Sequence, residues 1–167
     1  YVPDRNGCTK LAEEIPQYYS QTFVRQGGLD MDFPVDKLID AAAAAREKAY
    51  APYSKFRVGA AILTKEGRCY TGCNIENASY GLTCCAERVA LFKAVSSGER
   101  SLEAIAVTAG TKDYCPPCGA CRQALAEFGA NIKVYMANEA GEYQMQTVAE
   151  LLPLSFTAEA LAQGEDE

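Results

Sequence analysis

Arg57-Val-Gly-Ala-Ala-Ile-Leu-Thr-Lys-Glu-Gly-Arg-Cys-Tyr-Thr-Gly-Cys-Asn74 is the stretch whose reading decides the fold. Residues 57–63 form a compact, apolar run, as expected of a buried strand. Lys65-Glu-Gly-Arg68 is a turn, and residues 69–74 return as a second strand. A mostly apolar sheet takes helices on both faces. Upstream, Val35, Leu38, Ile39, Ala42, Ala45 and Ala49 recur at helical spacing, which predicts a helix over 35–50 that ends before Pro52. Downstream, residues 84–97 read as a helix closed by Gly98. Residues 104–109 read as a strand, and 119–128 as a helix stopped by Gly129. Residues 132–137 and 143–147 are two further strands. Their Asn-Glu-Ala-Gly link is too short for a parallel crossover, so this pair is antiparallel. A short helix over 147–152 and a tail rich in Ala and acids follow. The order α-β-β-α-β-α-β-β-α around an apolar sheet predicts the α/β class: a three-layer α/β/α sandwich with a five-stranded mixed sheet.

The chain has 167 residues, 49% of them hydrophobic and 23% charged, enough for one domain with a real core. Residues 1–33, with breakers at Pro3, Pro16, Gly27 and Gly28, read as an N-terminal extension without an assigned role. Residues 34–167 read as the catalytic domain. The net charge of −6, with no recurrent basic patch, argues against a nucleic-acid partner. No apolar stretch approaches the ~20 residues that span a bilayer. The opening Tyr1-Val-Pro-Asp-Arg has neither initiator Met nor apolar signal core. The expectation is a cytoplasmic protein that either lacks its first residues or is a piece of a longer chain.

Eight cysteines and no histidine are present. The missing imidazole excludes Ser-His and Cys-His catalytic pairs, and leaves thiolate, carboxylate or backbone oxygen as metal donors. Cys118-Gly-Ala-Cys121 places two sulfurs at chelating distance at a helix start, where the positive dipole end favours thiolate. Alone it also fits a redox dithiol or half of a structural zinc site, and Cys115-Pro-Pro-Cys118 strengthens the redox reading a little. Cys85-Ala-Glu87 opens the earlier helix. Both helices follow a strand and a loop, so both N-termini can reach one sheet edge and bring three thiolates to one Zn²⁺. Three protein ligands suit a catalytic zinc rather than a structural one, and adjacent Cys84 points elsewhere. A Cys-Ala-Glu followed by Pro-Cys-x-x-Cys is the pattern of zinc nucleobase deaminases, in which the Glu is not a ligand. The chemistry asks for these types: zinc makes water acidic enough to attack at neutral pH, and one carboxylate, Glu87, shuttles the proton. Three thiolates leave the centre with a net charge of about −1. Arg88 then reads either as a donor to ligand sulfurs or as a solvated helix residue.

Five segments carry a broader resemblance: Tyr53-Ser-Lys-Phe-Arg-Val-Gly-Ala-Ala-Ile, Gly72-Cys-Asn-Ile-Glu-Asn-Ala-Ser-Tyr80, Cys85-Ala-Glu-Arg88, Pro117-Cys-Gly-Ala-Cys-Arg122 and Glu150-Leu-Leu-Pro-Leu-Ser-Phe156. Over about residues 35–160 the chain resembles the small homotetrameric cytidine deaminases of pyrimidine salvage. The resemblance implies hydrolytic deamination of cytidine and 2'-deoxycytidine, with one Zn²⁺ per chain and a nucleoside as the small-molecule partner. It further implies a homotetramer with sites at subunit interfaces, and neither nucleic acid nor membrane as a partner. It also implies that Asn74 and Glu76 hold ribose hydroxyls, that Phe56 stacks near the pyrimidine, and that the Ala86 backbone bonds the ring carbonyl. Tyr80 and Phe156 are expected to reach a neighbouring subunit's site. From pattern alone, a Phe56 beside a strand is usually core, and Asn74-Ile-Glu-Asn77 reads as a loop with turn formers. Deamination of a cytosine-containing antibiotic nucleoside is the nearest rival reading. Cys8, Cys69, Cys73, Cys84 and Cys115 are expected to be buried free thiols.

Overall fold

In a computed structural model, the structure describes residues 34–162; the extension 1–33, Cys8 and residues 163–167 lie outside them. The elements are α1 (Val35–Arg46), β1 (Gly59–Thr64), β2 (Cys69–Cys73), a 3₁₀ turn (Tyr80–Leu82), α2 (Ala86–Ser96), β3 (Leu102–Thr108), α3 (Gly119–Ala126), β4 (Lys133–Ala137), β5 (Tyr143–Thr147), α4 (Val148–Leu151) and α5 (Ala158–Ala162). The expected order is recovered, with α5 formed where only an Ala-rich tail was read.

The five strands form one mixed sheet in the order β2-β1-β3-β4-β5. β3 and β4 are parallel, and the other neighbours are antiparallel. The short 138–141 link does impose the antiparallel β4–β5 pair. β1 shows why its sequence lacks alternation. Ala60 and Ile62 face one cluster with α2 and α3, while Ala61 and Leu63 face a second cluster with α1. β3 divides likewise, Ile105 and Val107 to one side, Ala104 and Ala106 to the other. Ile62 and Ile105 are fully buried, each worth about 1.5–3 kcal/mol of transfer free energy.

Two glycines set how closely the layers approach. A Cβ on Gly59 would lie 2.0 Å from the Ala42 carbonyl oxygen of α1. A Cβ on Gly72 would lie 2.4 Å from the Ala90 nitrogen and 2.6 Å from the Ala86 oxygen of α2. Gly72 therefore decides where the helix opened by Cys85 sits on the sheet.

Element ends differ from the sequence reading for identifiable reasons. The first helix stops at Arg46 rather than residue 50. Tyr50 is drawn into a bridge with Ile75, donating from its N–H to Asn74 O at 3.0 Å and accepting from Glu76 N at 2.8 Å. β1 starts at Gly59 because the Val58 N–H is taken by the Asn74 side chain at 2.8 Å. β3 ends at Thr108, and the Ala109 carbonyl accepts from the Arg46 guanidinium at 3.1 Å. Among the described residues no helix is long and apolar enough to cross a membrane.

Candidate metal centre and active site

Because β2 and β3 run in the same direction, the helices that follow them start at the same edge of the sheet. Ligand sites in open α/β sheets lie at such carboxyl ends. Cys85 is the N-cap residue of α2, and Cys118 the N-cap residue of α3. Neither N-terminus has a side-chain cap, so free N–H groups and the positive dipole ends lie close to the cysteines. Cys121, one turn into α3, is fully buried.

The sulfurs of Cys85, Cys118 and Cys121 all lie within 4.8 Å of one another. Cys85 Sγ is 3.8 Å from Cys118 Sγ, and Cys118 Sγ is 3.5 Å from Cys121 Sγ. Tetrahedral Zn–S bonds of about 2.3 Å place two sulfurs about 3.8 Å apart, so the donor set fits zinc with little rearrangement. Among the described residues no fourth His, Cys, Asp or Glu joins the group. Cys84 stays outside it, as the adjacent-residue argument expects. Hydrogen bonding from Cys121, with help from Arg88 and Cys118, holds the Cys85 thiol down to about 5 against the opposing effect of burial. Cys121 moves upward, through its hydrogen bond to Cys85 and then its burial. One thiolate thus forms readily, and the charge it creates makes the next proton harder to remove. A dication bound by all three relieves that repulsion.

Glu87 lies in the first turn of α2 and is 5% exposed. Burial pushes its carboxyl above the usual carboxylate range, and the charge of Cys85 adds to the shift. A buried carboxyl raised in this way, beside a metal-binding cluster, suits proton transfer. The two readings of Arg88 separate here. Its Nη2 lies 3.8 Å from Cys85 Sγ and donates to Thr83 O at 3.2 Å, and the hydrogen bond to Cys85 strengthens its hold on its proton.

The remaining expected residues surround this centre. Ala86, fully buried, is the first residue of α2, so its N–H has no intrahelical acceptor. Asn74 is buried and clamps the segment carrying Phe56: its Oδ1 accepts from Val58 N, and its Nδ2 donates to Phe56 O, both at 2.8 Å. Phe56 is 48% exposed, so it is not core. Glu76 accepts from the N–H groups of Tyr53 at 2.8 Å and Ser54 at 3.2 Å, and from the Ser54 hydroxyl; these bonds, the hydroxyl first, keep its carboxyl ionised to lower pH than usual. Tyr80 sits in the 3₁₀ turn, edge-on to Tyr53 with centroids 6.0 Å apart, and is exposed. Phe156 is exposed as well and connects to α3 through its backbone. Gln123 Nε2 donates to Phe156 O at 2.7 Å, and Phe156 N donates to Gln123 Oε1 at 3.2 Å. The structure thus joins the three cysteines, Glu87 and Arg88 directly, and Phe56, Asn74 and Glu76 through one loop. Tyr80 and Phe156 face outward.

Three polar residues escaped the sequence reading. Ser54 links Glu76 to the Phe56 backbone. Arg122 donates from Nε to Pro117 O at 2.8 Å and from Nη1 to Leu151 O at 2.9 Å, bracing the Cys118 loop. Gln123 anchors the segment carrying Phe156. Arg122 follows Cys121 directly, the one local hint available. The partners of Ser54 and Gln123 lie 22 and 33 residues away.

Of the free cysteines, Cys115 is buried as expected, whereas Cys69, Cys73 and Cys84 are only partly so.

Comparison with known proteins points one way. Residues 34–137 match the family model of the cytidine and deoxycytidylate deaminase zinc-binding region. A cytidine deaminase of Halalkalibacterium halodurans is 62% identical over 123 residues, spanning 73% of this chain and 93% of the relative. A cytidine deaminase of Sporosarcina psychrophila is 54% identical over 129 residues, spanning 77% of this chain and 95% of the relative. The crystal structure of cytidine deaminase from Burkholderia pseudomallei superposes with a TM-score of 0.71 at 50% identity, over 75% of this chain and all of that one.

Proposed function

The chain belongs to the cytidine and deoxycytidylate deaminase family, and from that premise we propose how its own residues divide the zinc-dependent hydrolytic deamination of cytidine and 2'-deoxycytidine. Water oxygen bonds to C4 of the pyrimidine, the C4–N bond breaks, and ammonia leaves as the uridine product forms. Cys85, Cys118 and Cys121 hold the zinc, which supplies the Lewis acidity that activates water at neutral pH. Glu87 takes the first proton of the attacking water at its carboxyl oxygen and delivers it to the ring nitrogen, then takes the second from the hydroxyl formed at C4 and delivers it to the departing amine. Its burial supports this role, because a carboxyl destabilised as an anion accepts a proton more readily. Arg88, against Cys85 Sγ, offsets the excess thiolate charge. The Ala86 N–H donates to the ring carbonyl, Phe56 lies along the ring, and Asn74 and Glu76 take the sugar hydroxyls.

The observation that carries this reading is the three sulfurs gathered within 4.8 Å at two helix N-termini with a buried Glu87 beside them. Metal analysis of purified protein is expected to find one zinc per chain. Glu87→Gln is expected to keep the zinc while kcat falls by at least ~10²-fold. A Glu87→Gln enzyme with the parent rate removes Glu87 from the mechanism.

The same reading assigns residues 34–167 as the catalytic domain and 1–33 as an extension, supported by a family match that begins at residue 34. It also takes the protein as a cytoplasmic homotetramer with Tyr80 and Phe156 turned to a neighbour's site. Tyr80, Leu82, Leu154 and Phe156 are each largely exposed, which supports their burial against a neighbouring subunit. Light scattering that returned a monomer mass at assay concentrations overturns the assembly.

A further inference from the structure

The loop between α1 and β1 is held to the end of β2 by two side chains, and one of its own residues completes the clamp. Asn74 uses its carbonyl oxygen on Val58 N and its amide on Phe56 O. Glu76 uses Oε2 on the N–H groups of Tyr53 and Ser54 and Oε1 on the Ser54 hydroxyl. The same hydroxyl oxygen accepts the Phe56 N–H at 3.0 Å. Between these contacts Lys55 has φ 60°, the left-handed region that a residue with a Cβ adopts only when its surroundings enforce it.

We propose that Ser54 is a positioning residue for nucleoside binding, fixing the Glu76 carboxylate and the Phe56 backbone in one geometry through its single hydroxyl. The inference rests on the reading of Glu76 as a sugar-binding group. A glutamate on an exposed surface samples many rotamers, and ordering it during binding costs affinity. Here three donors hold it beforehand, and only the Ser54 hydroxyl comes from a side chain. The geometry leaves the carboxylate able to work. Oε2 has both acceptor positions filled, while Oε1 has one filled and one left for a substrate hydroxyl. The hydroxyl is matched to this place because it donates and accepts at once. Alanine does neither, and threonine does both.

Steady-state kinetics on cytidine with zinc-loaded protein test the inference. Ser54→Ala is expected to lower kcat/KM by roughly tenfold, mainly through KM, the size expected for losing a hydrogen bond to a charged group. Zinc content and melting temperature stay at parental values. Ser54→Thr is expected to restore kcat/KM to within about twofold, since the hydroxyl is retained. If Ser54 acts through Glu76, the double variant Ser54→Ala/Glu76→Gln loses less than the product of the two single losses. Parental kcat/KM in Ser54→Ala, alongside an impaired Glu76→Gln, overturns the role of Ser54 and leaves that of Glu76. A Glu76→Gln enzyme with parental kcat/KM overturns the sugar-binding reading itself. Fully multiplicative losses, or a Thr variant as impaired as Ala, show that Ser54 does not work through its hydroxyl on Glu76 and overturn the proposal.

Discussion

Gly72 is expected to control the metal centre although it carries no side chain and no metal donor. In Gly72→Ala the new methyl would sit 2.4 Å from Ala90 N and 2.6 Å from Ala86 O, both backbone atoms of α2. Ordinary contact needs about 3.5 Å, so α2 has to retreat by about 1 Å at its first turn or β2 has to bend away. Neither adjustment is cheap, because Ala86, Ala90 and Ala94 are fully buried in the cluster they share with β1 and β3. Overpacking of this kind typically costs about 1–3 kcal/mol. The larger effect is functional. Cys85 is the N-cap residue of α2, and zinc sites tolerate deviations of only about 0.2 Å in ligand distance. A 1 Å shift of Cys85 and Glu87 against Cys118 and Cys121 is of the order that costs ~10²-fold in rate. The assay is paired: thermal unfolding for the packing cost, and zinc titration against a chromogenic chelator with kcat on cytidine for the site. Gly72→Ala should lose a few degrees of Tm, bind zinc more weakly and turn over ~10²-fold more slowly. A variant with parental zinc affinity and kcat refutes the idea that this contact sets the helix position. Loss of Tm alone shows that the methyl is absorbed away from the metal.

Arg88→Gln should weaken zinc binding and lower kcat, with chelator competition as the readout, because the net charge of three thiolates and zinc then lacks its neighbouring cation; unchanged values return Arg88 to a surface role. Cys115, pushed up to about 11 by burial, is overwhelmingly protonated at pH 8. Iodoacetamide should therefore label it in unfolded but not in native, zinc-loaded protein, as read by peptide mass spectrometry; fast native labelling contradicts its burial. Glu99 is 4% exposed and is held by Arg68 through Nε at 2.5 Å and Nη2 at 2.9 Å, with Tyr70 donating at 3.1 Å. Arg68→Leu leaves that carboxylate with the Tyr70 hydroxyl but no cation, and denaturant unfolding should show a loss of roughly 2–3 kcal/mol, less than for a fully buried pair because Arg68 is half exposed.

Much of this molecule was legible locally. The run over 57–63 announced a buried strand, and the link at 138–141 imposed an antiparallel pair. Cys85-Ala-Glu87 and Pro117-Cys-x-x-Cys121 announced a thiolate metal centre with an acid nearby, because i, i+2 and i, i+3 spacings are resolved by the backbone itself. Element ends were less legible, since Tyr50 and Val58 surrender their expected places to partners on the segment after β2.

What the sequence determined by itself was therefore short-range: which residues carry the chemistry, and which runs are helix or strand. The tertiary structure decided whether those residues meet. Cys85 and Cys118 are 33 positions apart and converge because β2 and β3 run parallel, which places both following helix starts at one edge. It decided that Arg88 turns toward a sulfur rather than toward water, and that Gly72 spaces the metal-bearing helix. It also made Ser54 the partner of Glu76. Such contacts depend on strand order, strand direction and the depth at which helices settle on the sheet. Those are properties of the assembled layers, to which no local spacing has access.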